Sequence, residues 1–317
     1  MFDFPIGIQL FNRPDYARQL LHSLRVQTAE VTCKNVYIYI DGFSGSFYEE
    51  QGAKDQTGIV EGIARDFFPQ ASIKRFATNQ GIANLRNQLQ IATFSSGSSW
   101  GAFFEEDIVL DPSYLLELSE LIAIVEPFDE VAKVACFQIL DRLRTLPRGL
   151  GGFYPGYGTQ AVAERLSFFN SKQEILAKYI DLTSKRLNNA SVFKDSEIAA
   201  ILARSGYLLA YVQHDSLEEQ LLRSQGKLHV VTKPNLAKDI GIDGVHSYVT
   251  KPIASVGVPV HESLEIRKNS FENQLHLIVE ETSQASYEYF KEILDGYHTS
   301  NSRKRMLTKI LKISIGK

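Results

Sequence analysis

The chain has 317 residues, 44% of them hydrophobic and 22% charged, a mixture that fits one large globular α/β unit and excludes a disordered or fibrous chain. Its net charge of −3 provides no basic field to hold a phosphate backbone, so nucleic acid is not expected as a partner. Cys33 lies just before an apolar run and Cys136 inside another, which suits buried thiols of a reducing compartment better than a disulfide. MFDFPIGIQLFNRP has no basic start, and no apolar stretch approaches about 18 residues, so neither a signal peptide nor a spanning helix is expected. These features point to a cytoplasmic protein.

The first half alternates strands and helices. Pro5 to Leu10 predicts a short strand, and Pro14 to Arg25 an amphipathic helix with Asn12 or Arg13 near its cap. VYIYI, Val36 to Ile40, is a β-branched and aromatic run ending at Asp41-Gly42. A helix over Gly58 to Phe67, a strand over Ser72 to Phe76 and a helix over Ile82 to Ala92 follow. A strand over Trp100 to Phe104 comes next, then a helix from Tyr114 to Ile124 after Pro112. This alternation predicts an α/β fold, a mostly parallel sheet with helices on both faces. In such sheets ligands gather beyond the C-terminal strand ends, where Asn12, Asp41, Asn79 and the acids after Phe104 would sit.

The second half is less regular. It predicts strands over Val134 to Ile139, Tyr207 to Val212 and His229 to Thr232, and helices over Ser171 to Leu187, Ser196 to Arg204 and Ser270 to Leu294. Gly149 to Gly158 and Asn235 to His246 read as Gly-rich loops. No linker or repeat divides the chain. Residues 1–140 would form a nucleotide-binding half, 141–295 an acceptor half of the same unit, and 296–317 a basic tail. That tail has apolar residues at helical spacing, which suits either peripheral contact with an anionic membrane surface or a solvated helix end.

The strongest chemical signal is Glu105-Glu106-Asp107, three acids at the end of an apolar strand. Carboxylates there must shift their pKa values or find a cation. Asp107, with Glu106 in support, is a candidate ligand for Mn²⁺ or Mg²⁺ against a diphosphate. A solvated acidic turn is the competing reading. Asp41 ends a strand where an acid can accept from a base or ribose, or merely form a turn. Asn79, Gly81 and Arg86 lie in a tight turn and helix start suited to a phosphate or base. Gly156, Tyr157 and Gly158 offer an aromatic, close-approach loop for a sugar ring. Asp195 precedes a helix as a general base or as an ordinary N-cap, with Glu197 and Asp243 as competitors. His246, on the Gly-rich loop, would be a metal ligand or a structural histidine. No GxGxxG, Walker loop, CxxC pair or GxSxG elbow occurs, which argues against dinucleotide dehydrogenases, P-loop NTPases, zinc modules and serine hydrolases.

The order QLFNRPDYARQLLHSL, IDG, NQGIANLRNQL and FFEEDIVLDPSYL resembles inverting GT-A glycosyltransferases, and within them the N-acetylglucosaminyltransferase I family. Its Glu-Asp-Asp motif is matched by Glu105-Glu106-Asp107, FYPGYGTQ is similar to its Phe-Pro-Gly-Leu-Gly segment, VFKDSE stands where its base motif lies, and GIDGVHS is similar to its late Gly-Val-Ser-His-Gly. The resemblance covers about residues 4 to 250; both tryptophans and one acid of the base motif are missing, as is a membrane anchor. It implies a metal-dependent inverting transferase that moves a sugar from a nucleotide-diphosphate sugar, UDP-linked, to a glycan or lipid-linked acceptor. Asp107, Glu106 and His246 would hold the metal. Asn12, Arg13, Asp41, Asn79, Gly81, Arg86, Glu105 and the 156–158 loop would line the donor pocket, and Asp195 would be the base. A sugar-nucleotide pyrophosphorylase and a non-catalytic glycan- or nucleotide-binding protein are the alternatives.

Overall fold

The structure is a computed structural model that describes residues 3–31, 35–137, 153–184 except 157, 198, 201–202, 214–232, 235–241 and 265–280 except 277. In chain order the elements are β1 (Ile6–Leu10), α1 (Pro14–Arg25), β2 (Val36–Ile40), α2 (Phe47–Glu50), α3 (Thr57–Phe67) and β3 (Ser72–Arg75). Then come α4 (Ile82–Phe94), β4 (Trp100–Glu105), β5 (Ile108–Leu110), α5 (Tyr114–Val125) and β6 (Val131–Ala135). β7 (Phe153–Pro155), β8 (Ala161–Arg165), α6 (Leu166–Ser184), α7 (His214–Ser224), β9 (Leu228–Thr232) and β10 (Ala237–Asp239) complete them. Residues 265–276 are also helical.

One eight-stranded sheet, ordered β3-β2-β1-β4-β8-β6-β9-β7, joins strands from both halves of the chain. The pairs β1–β2, β1–β4, β2–β3 and β6–β9 are parallel, whereas β8 runs antiparallel to β4 and β6, and β7 to β9. Six strands therefore share one direction, the mostly parallel α/β architecture expected. β10 and β5 form a separate antiparallel pair.

The two faces of the sheet differ in chemistry. On one, Ile6, Ile8, Leu10, Ile38, Ala102 and Phe104 pack with Leu20 and Leu24 of α1, Val60 and Ile63 of α3 and Leu118 of α5 in a dry core. Strand alternation sends the intervening residues to the opposite face. There Phe103 packs with Leu89 and Phe94 of α4 and Phe169 of α6. Further along the same face Lys133 of β6, Glu164 of β8, Lys172 of α6 and Glu218 of α7 meet with almost no exposure. Lys172 Nζ is 2.8 Å from Glu164 Oε1, Lys133 Nζ is 3.8 Å from Glu164 Oε2, and both lysines pair with Glu218. Such burial is tolerable only because each charge has opposite charges around it.

This quartet accounts for several departures from the sequence expectation. Ala161–Arg165 and His214–Ser224 carry buried charge, so neither shows the apolar period that marks a strand or a helix. β6 starts at Val131, earlier than the Val134 expected, because Lys133 is an interior residue paired in register with Glu164. Phe153–Pro155, expected as loop, pairs antiparallel with β9, and β5 with β10 extends the acidic turn and the late Gly-rich segment into a ribbon. α6 begins at Leu166, five residues before the expected start. Cys136 is a buried free thiol, and Cys33 lies outside the described residues. So do the strand expected over 207–212 and the basic tail. Among the described residues no helix is long and apolar enough to cross a membrane.

Replacing Lys133 by Met leaves Glu164 and Glu218 sharing one lysine. We expect Lys133→Met to lower unfolding free energy by about 3–5 kcal/mol, read as a lower urea midpoint at unchanged slope. A loss below about 1 kcal/mol would show that the quartet contributes little beyond an isosteric apolar core.

Candidate active site

The acid trio stands at the C-terminal edge of β4, beside the end of β1, where parallel strands release their loops. Its members have different surroundings. Glu106 is buried with both oxygens committed: Oε2 accepts the Phe11 N–H at 2.7 Å and Oε1 accepts from Arg13 Nε at 2.5 Å. Burial nevertheless pushes its pKa up, against the pull of Arg13 and the Phe11 N–H. Arg13 also reaches Asp107 Oδ2 at 3.2 Å and lies over the Tyr16 ring. The second Asp107 oxygen, Oδ1, is buried without a hydrogen-bond partner.

Asp107 is joined from below by the β5–β10 ribbon. The Ile240 N–H donates to the Asp107 carbonyl at 2.8 Å, and the Gly241 N–H to Asp239 Oδ1 at 2.7 Å. A Cβ on Gly241 would stand 2.8 Å from Asp107 Oδ2 and 3.1 Å from Asp239 Oδ1, so only glycine lets the backbone pass between the two acids. Burial, together with the charge of Asp107, pushes Asp239 up.

Glu105 faces the other way. Thr159 Oγ1 lies 3.2 Å from its Oε1 and 2.7 Å from Asp215 Oδ1. Burial, then the charges of Asp215 and Asp107, push Glu105 up to about 8. Burial also opposes the charged form of Asp215, but the neighbouring His214 and the Thr159 hydrogen bond bring it below the usual range. A hydroxyl has one proton to donate. Given to Asp215 at the shorter distance, it leaves the contact with Glu105 to the carboxyl's own proton. Neighbouring acids whose pKa values are driven apart are the pattern of an acid–base site. The Asp215 side chain is 39% exposed, so it is open to a ligand.

The predicted donor-pocket residues mostly organise one another. Asn12 spends its amide on the Lys54 carbonyl at 2.8 Å and the Gln56 N–H at 2.6 Å, pinning the loop before α3. Asp41 accepts from the N–H groups of Gly42, Gln80 and Gly81 and from Asn79 Nδ2. It thereby folds the 79–81 turn, in which Gly81 takes φ of 73°, onto the end of β2. Burial outweighs those donors and pushes Asp41 up to about 6. Arg86 is buried over the Phe103 ring, donates to the Thr159 carbonyl at 3.1 Å and lies 4.0 Å from Glu105 Oε1. Its Nε and Nη1 have no acceptor among the described residues. The Gly156 N–H donates to the His229 carbonyl at 2.7 Å, and Gly158 is buried just before Thr159. Tyr157, Asp195, Glu197, Asp243 and His246 lie outside the described residues.

The structure thus brings Arg13, Glu105, Glu106 and Asp107 together and adds Thr159, Asp215 and Asp239. Asp215 was missed because the buried charges of its helix mask the apolar period, leaving His-Asp ahead of Leu217 and Leu221 as the one local signal that could have found it. Asp239 carried no signal beyond a turn-forming Gly two residues on.

No protein-family model matches the chain, and no curated protein matches it in sequence. Among solved structures, S. aureus TarS 1–349 is 14% identical, with 69% of each chain covered and a TM-score of 0.41. The same protein in complex with UDP-GlcNAc gives 13% identity, 70% of each chain and 0.41. The mannosyltransferase PcManGT from Pyrobaculum calidifontis, in complex with GDP-Man and Mn²⁺, gives 10% identity and 0.41, with 74% of this chain and 55% of that one covered.

Asp41 provides a pH test. Its folded pKa of about 6 lies above the ordinary 3.8, so between those values the folded state binds more protons than the unfolded one. Stability from this group is therefore fully present below about 3.8 and falls as pH rises through about 6. Asp41→Asn removes the titration. The stability of wild type minus variant is expected to drop on the order of 3 kcal/mol between pH 4 and 7, measured by urea unfolding. A flat difference would contradict it.

Proposed function

We propose that this chain is a metal-dependent, inverting glycosyltransferase of the GT-A type, using a nucleotide-diphosphate sugar, UDP-linked, and a glycan or lipid-linked acceptor hydroxyl. The observation that carries this reading is the division of labour around Glu105. Asp107, with a buried uncommitted oxygen, stands on one side, and the ionised, ligand-accessible Asp215 on the other. That is one pole for a cation on a diphosphate and one for a proton acceptor, at the same edge of the sheet beyond the strand ends.

The Asp107 Oδ1 atom suits a hard divalent cation such as Mn²⁺ or Mg²⁺, which binds one or two carboxylates and completes its shell with phosphate oxygens and water. Among the described residues no group of three or more acidic, His or Cys side chains could hold it alone, which fits a metal that arrives with its nucleotide. Glu106 serves by holding Arg13 and the Phe11 backbone, since both of its oxygens are committed. When bound, the cation supplies positive charge against the diphosphate leaving group. Asp215 takes the proton as the acceptor oxygen bonds to the anomeric carbon and the bond from that carbon to the diphosphate breaks. One displacement inverts the configuration. Asp195, to which the resemblance points, is the alternative base; Asp215 is preferred because it borders the acid trio. Asp41, Asn79 and Gly81 shape the nucleotide end, and Arg86 supports it from beneath through Thr159.

Two measurements test this. UDP-GlcNAc with Mn²⁺ is expected to raise the melting temperature of wild type, and Asp107→Ala to abolish the rise. If no UDP-sugar stabilises wild type with any divalent metal, the donor reading is wrong. Asp215→Asn is expected to keep nucleotide binding and lower turnover about 10²–10⁴-fold. Full turnover in that variant, with loss in Asp195→Asn, would move the base to Asp195.

A further inference from the structure

Asp215 is joined to the buried quartet by one residue. His214, the residue that opens α7, is buried, with Nε2 3.2 Å from Glu218 Oε1 and Nδ1 3.7 Å from Asp215 Oδ1. Glu218 is in turn held by Lys133 of β6 and Lys172 of α6, which also share Glu164 of β8. Among the described residues, the other groups around His214 are the Tyr179 ring of α6, with centroids 6.5 Å apart, and, beyond Asp215, Thr159 and Glu105. Glu219 of α7 faces away, toward His229 of β9 and Arg223.

The charges set the protonation state of this imidazole. Two lysines and two glutamates make the quartet neutral by itself. Asp215, beside it, adds a negative charge, and His214 is the group placed to offset it. With Nε2 near Glu218 and Nδ1 near Asp215, the imidazole lies between two carboxylates, which favour its charged form.

We propose that His214, packed between Glu218 and Asp215, is a positioning residue that keeps Asp215 charged and in place beside the acid trio. This rests on the assignment of Asp215 as base, but the pairing itself can be tested separately. Burial alone would lower the His214 pKa, and the charges of Glu218 and Asp215 reverse that and raise it. By reciprocity His214 lowers Asp215. The raised His214 pKa means its pairing is fully present below the ordinary histidine value and is lost as pH rises through the folded value. Turnover would then have an alkaline limb set by His214 as well as an acid limb set by Asp215.

The test is titration of ¹⁵N-histidine-labelled protein by NMR, with His214 assigned from the signal missing in His214→Gln. In wild type, His214 is expected to carry protons on both ring nitrogens at pH 7, and in Asp215→Asn to lose one of them at lower pH than in wild type. An imidazole that is neutral at pH 7, or one indifferent to Asp215→Asn, overturns the proposal. Both measurements remain available if His214→Gln folds poorly, because Asp215→Asn also identifies the coupled signal. Where His214→Gln is folded, hydrolysis of UDP-GlcNAc with Mn²⁺ should show kcat down at least tenfold, KM unchanged and the acid limb moved to higher pH. A fall in kcat without movement of the acid limb would indicate a merely structural histidine. If the NMR coupling is found but Asp215→Asn retains full turnover, the base assignment fails while the pairing stands.

Discussion

Three consecutive carboxylates at the end of a buried strand cannot share one environment, and the rest of the site is arranged around keeping them apart. Strand geometry sends Glu105 to the charged face of the sheet, while Glu106, bonded to the chain just after β1, and Asp107 form the turn into β5. Each then meets a different partner: Thr159 and Arg86 for Glu105, Arg13 and the Phe11 N–H for Glu106, Arg13 and the Asp239 ribbon for Asp107. Mutual repulsion is reduced by the Arg13 ion pairs to Glu106 and Asp107 and by protonation at Glu105.

The second constraint is the asymmetry of the sheet. Its dry face supports the loops at the strand ends through ordinary apolar packing of α1, α3 and α5. Its other face carries ion pairs that cross between β6, β8, α6 and α7. An apolar core of the same volume could be equally stable, since buried ion pairs often contribute little net stability. What the ion pairs add is a fixed electrostatic setting for the first turn of α7, where Asp215 meets Thr159 and Glu105. Arg165 does comparable work at the edge of the dry face, donating to the Val131 and Val125 carbonyls beneath the Trp100 ring.

Much of the first half was legible because its signals are local. VYIYI, the Pro14 helix start and the Phe103-Phe104 run into three acids each declare their element within a few residues. Parallel pairing follows from alternation alone, and the strand-end position of Asp41, Asn79 and Glu105 follows from parallel pairing. The second half was less legible because AVAER and HDSLEEQLL read as polar segments. Their polar residues are interior, satisfied by partners far away in sequence, such as Lys133 for Glu218, 85 residues apart. A periodicity argument cannot see that pairing.

The sequence by itself determined the α/β alternation, the edge on which ligands would gather and the acid trio as its chemical centre. These follow from short-range hydrophobic period and from the cost of crowding like charges. Only the tertiary structure decided which acid is neutralised, which is protonated and which keeps a free oxygen, and that Asp215 stands across Thr159 from Glu105. Protonation and burial depend on distances between groups brought together by chain crossovers, and those distances exist only once the sheet is assembled.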